Sequence, residues 1–166
     1  MPSKAEEIIR NSDEIGAYTG LALPLIVRTV ERGVGALTEA ERQFVAVYQL
    51  HTNVNNGGFY GYFTNTSGDF ATDALNGLER IGALHIYSLL AKARSVFPDG
   101  SVPRTQAERE TFLQDRPSDK WADLDKPNRF KRVLEPLDKE FYASPDRLSK
   151  LAVEFAREHI KDFNIT

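Results

Sequence analysis

The chain has no cysteine in its 166 residues. That excludes disulfides, thiolate zinc sites and cysteine nucleophiles together, and it fits a reducing compartment. No apolar run approaches the length needed to cross a bilayer. The opening residues, MPSKAEEIIRNSDE, are polar and charged and lack the apolar core of a secretion signal. The expectation is a cytoplasmic protein without membrane contact. Neither sign of charge dominates: 24 Asp and Glu face 21 Lys and Arg, for a net charge of −3. A nucleic-acid binder normally carries a basic surplus, so direct nucleic-acid binding is not expected.

Histidine is scarce as well. His51, His85 and His159 are never paired at helical spacing and have no carboxylate at ligand spacing on their own helices. His51 and His159 lie on apolar stripes, where a lone histidine is more often a hydrogen-bonded core residue than a ligand. The nucleophile elbow Gly-x-Ser-x-Gly, Ser-x-x-Lys and His-Glu-x-x-His are all missing. Gly57-Gly58 has no strand before it and no Lys-Ser/Thr after it, as a phosphate loop requires. Asp119, Asp123 and Asp125 imitate a calcium loop but lack its central glycine and terminal glutamate, and Lys120 and Lys126 intrude. The residues therefore assign no catalytic group, no metal and no cofactor.

What is present is a helical pattern. With 41% apolar residues, the chain is long enough to build its own core as one domain spanning residues 1–166. Ala5, Ile8 and Ile9 recur at helical spacing from Ser3 to about Ile15. Gly16 and Gly20 bracket a break, and a second helix starts near Leu23 with Pro24 in its first turn. Thr38-Glu39-Ala40-Glu41 and Thr105-Gln106-Ala107-Glu108 match the capping box. The helix opened by Thr38 carries Phe44, Val47, Tyr48 and His51 on one side, and Asp69 is placed to cap the helix holding Phe70, Leu75 and Leu78. A further helix runs from about Leu84 to Val96. Arg116 to Pro127 reads as a surface loop pinned by Trp121 and Leu124. Pro136 is expected to break a helix, and Ser144-Pro145 to start the last one. No stretch alternates as a strand does. The expected fold is all-α, a single compact domain of about seven or eight helices.

The centre of the chain is unusual. Asn53, Asn55 and Asn56 stand beside Gly57 and Gly58, followed by Phe59, Tyr62 and Phe63. Asparagine and glycine take left-handed backbone angles cheaply, and the aromatics must be buried or meet a partner. The stretch predicts a sharp corner between two helices, its asparagines serving as caps more than as ligand-binders.

Val54-Asn55-Asn56-Gly57-Gly58-Phe59, then Tyr62-Phe63, Asn65, Ser67-Gly68 and Ile81-Gly82-Ala83, resemble the signature of the DNA-mimic protein domain, a bacterial family also known as domain of unknown function 4375. Leu137-Asp138 with Phe141-Tyr142 and the final amphipathic helix fit the same pattern, so the resemblance covers about residues 38–160. It implies an all-helical cytoplasmic protein, often a homodimer, that binds other proteins and has no enzymatic activity. Members of the characterised type display carboxylates at phosphate-like spacing and occupy the DNA-binding surface of a basic protein. In this chain the signs interleave, as in Glu108-Arg109-Glu110 and Lys139-Glu140. An acidic face must therefore come from the fold, and its raw material is Glu6, Glu7, Asp13 and Glu14 near one end with Glu135, Asp138, Glu140 and Asp146 near the other. Two alternatives stand beside this reading. One is a small-molecule or catalytic pocket at the Asn-Gly-Gly-Phe corner, with His51, Asn53, Asn55 and Asn56 converging. The other is a structural homodimer betrayed by a large exposed apolar patch.

Overall fold

A computed structural model describes residues 1–114 and 128–165. The loop expected around Trp121 and Leu124, with Asp119, Asp123 and Asp125, lies outside the described residues. Those described form eight α-helices: α1 Lys4–Asn11, α2 Glu14–Arg32, α3 Glu39–Thr64, α4 Ala71–Arg80, α5 Leu84–Arg94, α6 Gln106–Leu113, α7 Arg129–Tyr142 and α8 Leu148–Glu158. The all-α reading holds, with no strand among the described residues.

Helix α3 is the axis, packed against α2, α4, α6, α7 and α8. It separates two apolar clusters. On one side Val47, Leu50 and Val54 meet Leu78 of α4, Leu89 of α5 and Leu134 of α7. On the other, Phe44 and Val45 meet Tyr18, Leu21 and Leu25 of α2 with Ala152 and Phe155 of α8. Gly77 lets α4 approach closely: a Cβ there would sit 2.8 Å from Val47 and 2.9 Å from the Gln43 carbonyl.

Both expected capping boxes form, Thr38 with Glu41 and Thr105 with Glu108. A third, Ser3 with Glu6, opens α1. Helix α2 differs from expectation. It starts at Glu14, because Asp13 accepts the Gly16 amide at 2.7 Å, and it runs through Gly20 and Pro24 without a break. Glycine at 20 is a packing position, where a Cβ would press on Ile8 of α1 at 3.0 Å. Pro136 likewise sits inside α7. Pro136 and Arg132, one turn earlier, are both exposed, so water can satisfy the carbonyl that proline leaves without a donor. Asp69 caps nothing; α4 begins after a 3₁₀ turn, Thr66–Phe70, that contains it. Ser144 is not the cap of α8 either, which starts at Leu148 after Arg147.

The C-terminal segment returns to the start of α3. Glu41 is fully buried. It accepts the Thr38 amide at 2.9 Å, the Asn164 amide at 2.7 Å and the Arg28 guanidinium at 3.1 Å. The Thr38 hydroxyl donates to the Asp162 carbonyl at 2.9 Å, and Arg28 also reaches the Asn164 carbonyl. Phe163 then stacks edge-on against Phe44.

Candidate functional site

The Asn-Gly-Gly stretch is the expected corner, where two helical segments of α3 meet at non-helical backbone. The first segment of α3 gives way at Gly57 (φ −147°, ψ 16°) and Gly58 (φ 64°, ψ −175°), and the second runs on to Thr64. The Gly58 angles are almost closed to any residue with a Cβ. A Cβ at Gly58 would also collide with the Asp138 carboxylate of α7.

A kink leaves carbonyls orphaned before it and amides orphaned after it. Helix α7 supplies both partners from side chains one turn apart. Asp138 Oδ1 accepts the Phe59 amide at 2.7 Å, and the Tyr142 hydroxyl donates to the Val54 carbonyl at 2.9 Å. Burial pushes the Asp138 carboxyl above its ordinary pKa, the Phe59 amide opposes that shift, and the charge of Glu135 adds to it. Burial also raises the Tyr142 phenol, with the Asp138 charge contributing.

The motif residues distribute around this clamp. The Asn53 amide donates to the Gln49 carbonyl at 2.9 Å, while its oxygen accepts the Asn65 amide, also at 2.9 Å. That pair spans the kink. Asn55 donates to the His51 carbonyl at 2.9 Å, and Asn56 and Gly57 are exposed. The amides of Asn53 and Asn55 thus turn into their own helix. Phe59, Tyr62 and Phe63 are completely buried; Phe59 stands edge-on to Phe141 at 5.7 Å, and Phe63 to Phe97 at 5.1 Å.

Arg109, which sequence reasoning passed over, organises the far end of α3. It is wholly buried. Its guanidinium donates to the carbonyls of Phe63 at 2.7 Å, Asn65 at 2.8 Å, Pro103 at 2.9 Å and Arg104 at 3.0 Å, and pairs with Asp69 at 2.6 Å. Every one of its planar donors serves the backbone or a carboxylate, which is how a buried arginine is tolerated. Gly68 makes room for it, since a Cβ there would lie 2.7 Å from Nε. The Ser67-Gly68 part of the motif is therefore a seat for Arg109. A long-range partnership of this kind carries no local sequence signal; only the glycine hints at a close approach.

The three histidines occupy separate surroundings. His51 lies beside the rings of Tyr18 and Phe141, and burial lowers its pKa. His85 Nδ1 is 2.8 Å from the Ser144 hydroxyl. His159 stacks on Phe155 at 4.3 Å and bonds that residue's carbonyl. No group of three His, Asp or Glu is placed to hold a metal ion among the described residues.

Most of the acids picked out from sequence have structural partners. Glu6 belongs to the α1 capping box and Asp13 caps α2. Glu14 is held by Arg147 and Ser149, and Glu135 pairs with Lys139 at 3.0 Å. Asp138 caps the kinked half of α3. Asp146 accepts the Ile86 amide at 2.9 Å and so caps α5 from another element. Glu7 and Glu140 are exposed.

The back of α2 carries a different surface. Leu23, Val27, Val30 and Val34 are 52%, 53%, 82% and 41% exposed. At helical spacing Leu23, Val27 and Val30 share one face, opposite Leu21 and Leu25 in the core.

A family model described as DMP19-like protein matches residues 35–159. No curated protein and no solved structure matches the chain.

Proposed function

This chain belongs to the DMP19-like protein family, and on that premise we propose that it is a protein-binding module whose partner is a basic, DNA-binding protein. The match over most of the chain is the observation that carries this reading. The geometry supports it from the other side. The motif residues hold the α3 kink, and the reading assigns them no catalytic step, no metal and no cofactor. Contact with the partner falls to carboxylates that the fold leaves outside, Glu7 and Glu140 among them, in the place that phosphates take on DNA. The module acts in the cytoplasm and binds no nucleic acid itself.

The test is competition. A labelled DNA duplex bound by a basic protein recovered on the tagged chain should be released as the chain is added. Recovery itself should weaken steeply as salt rises, since screening removes contacts between exposed charges. Partners that stay bound through high salt and never yield DNA to the chain would sink the reading.

A second reading concerns assembly. The exposed α2 stripe Leu23-Val27-Val30, with Val34 in the turn beyond it, supports a homodimer in which two α2 helices pack face to face.

A further inference from the structure

We propose that the groove between α1 and α8 is a binding site for a single-headed anionic amphiphile, a medium-chain carboxylate. Two adjoining hollows make the groove, of about 330 Å³ and 240 Å³; the larger reaches the size of small-molecule sites. They share Ile9 and Arg157, so one apolar floor and one cation serve both. Ile160 extends that floor at one end, and Val153 and Ala17 extend it at the other.

The charge is arranged lengthwise. Arg10 and Arg157 face the larger hollow, and both are exposed. Five other arginines have carboxylate partners: Arg28 with Glu41, Arg42 with Asp73, Arg80 with Glu39, Arg109 with Asp69 and Arg147 with Glu14. Arg10 and Arg157 have no carboxylate in salt-bridge range among the described residues. Glu6, the acid that lines the larger hollow with them, is turned back to the Ser3 amide by its capping box. The opposite end is lined by three acids, Asp13, Glu14 and Glu154, and by Lys150, which lies 3.8 Å from Glu154; the acids outnumber the lysine, so that end suits an anion less. An occupant therefore lies one way round, its head on the guanidiniums and its apolar body along Ile9 and Val153. A planar carboxylate suits two forked donors.

The site lies largely beyond the family's reach. Residues 1–34, with all of α1 and α2, and Ile160 fall outside the matched span of 35–159. The groove joins α1, outside that span, to Val153 and Arg157 of α8, inside it.

Calorimetric titration with decanoate, below its micelle concentration, tests the assignment, with decanol, decyl phosphate and decyltrimethylammonium in parallel. Decanoate should bind saturably and raise Tm, with amide chemical-shift changes confined to α1, the start of α2, α8 and Ile160. Arg10→Ala/Arg157→Ala should weaken decanoate at least tenfold while leaving the ligand-free Tm nearly unchanged, because both side chains are exposed. Equal binding of decanol or the ammonium, binding of decyl phosphate without decanoate, unaltered affinity in the double variant, or no saturable binding would each overturn it.

Discussion

Gly58 shows how one missing methyl group sets the middle of this protein. Its backbone angles and the Asp138 carboxylate against its Cα both refuse a side chain. Gly58→Ala should destabilise by roughly 3 kcal/mol or more, combining backbone strain with displacement of the Phe59 cap. In a chain of this size that lowers Tm by about 6–12 °C, readable by calorimetry. Gly57, whose added Cβ would meet nothing, should tolerate alanine far better, which separates the two glycines. Arg109 makes a second prediction. Arg109→Lys keeps the charge but loses the planar fork, leaving several buried carbonyls without donors. The loss should be about 3–5 kcal/mol, seen as a lower midpoint in urea with the slope unchanged. A lysine variant as stable as the parent would refute the role given to the guanidinium.

At the scale of elements, the clamp of α7 on α3 has a pH signature. The folded-state pKa of Asp138 is raised, so the folded chain holds its proton more tightly than the unfolded chain does. Stability from this group is complete below the ordinary carboxylate pKa and declines as pH rises through the raised value. Asp138→Asn removes the titration and keeps an oxygen for the Phe59 amide. The Tm of the Asn variant minus that of the parent should therefore grow as pH rises from about 4; a flat difference would refute it. The same clamp marks where the sequence stops being legible. Capping boxes at Thr38 and Thr105 were readable because donor and acceptor lie three residues apart. Asp138 on Phe59, Asp146 on Ile86 and Arg109 on Phe63 join positions 79, 60 and 46 residues apart, and nothing local announces them. Local rules also misjudged Pro24 and Pro136, because packing of the apolar faces carries both helices past a single lost hydrogen bond.

For the whole molecule, the all-helical class was legible from apolar periodicity alone, and the central motif was legible as a family mark. Its meaning was not, since a sequence cannot tell an asparagine that caps from one that awaits a ligand. The acids divide in the same way. Counting them gave a nearly balanced surface, and the fold assigns most of the marked ones to caps and pairs, leaving Glu7 and Glu140 outward. The proposed homodimer is a statement about mass. Light scattering behind size exclusion should give twice the 18.7 kDa chain, and Val30→Glu should halve that mass without altering helicity. A parent that elutes at 18.7 kDa at all concentrations would remove α2 as an interface.

The tie between Glu41 and Asn164 bears on the order of manufacture. A ribosome makes α3 early, yet one amide on Glu41 comes from Asn164, 123 residues later, and the ring against Phe44 from Phe163. Until those residues emerge, Glu41 lacks one of its three partners and the Phe44 ring is bare of Phe163. The cluster on that side closes only once Phe163 and Asn164 have emerged, later than the Gly58 kink, which can be clamped once α7 is out.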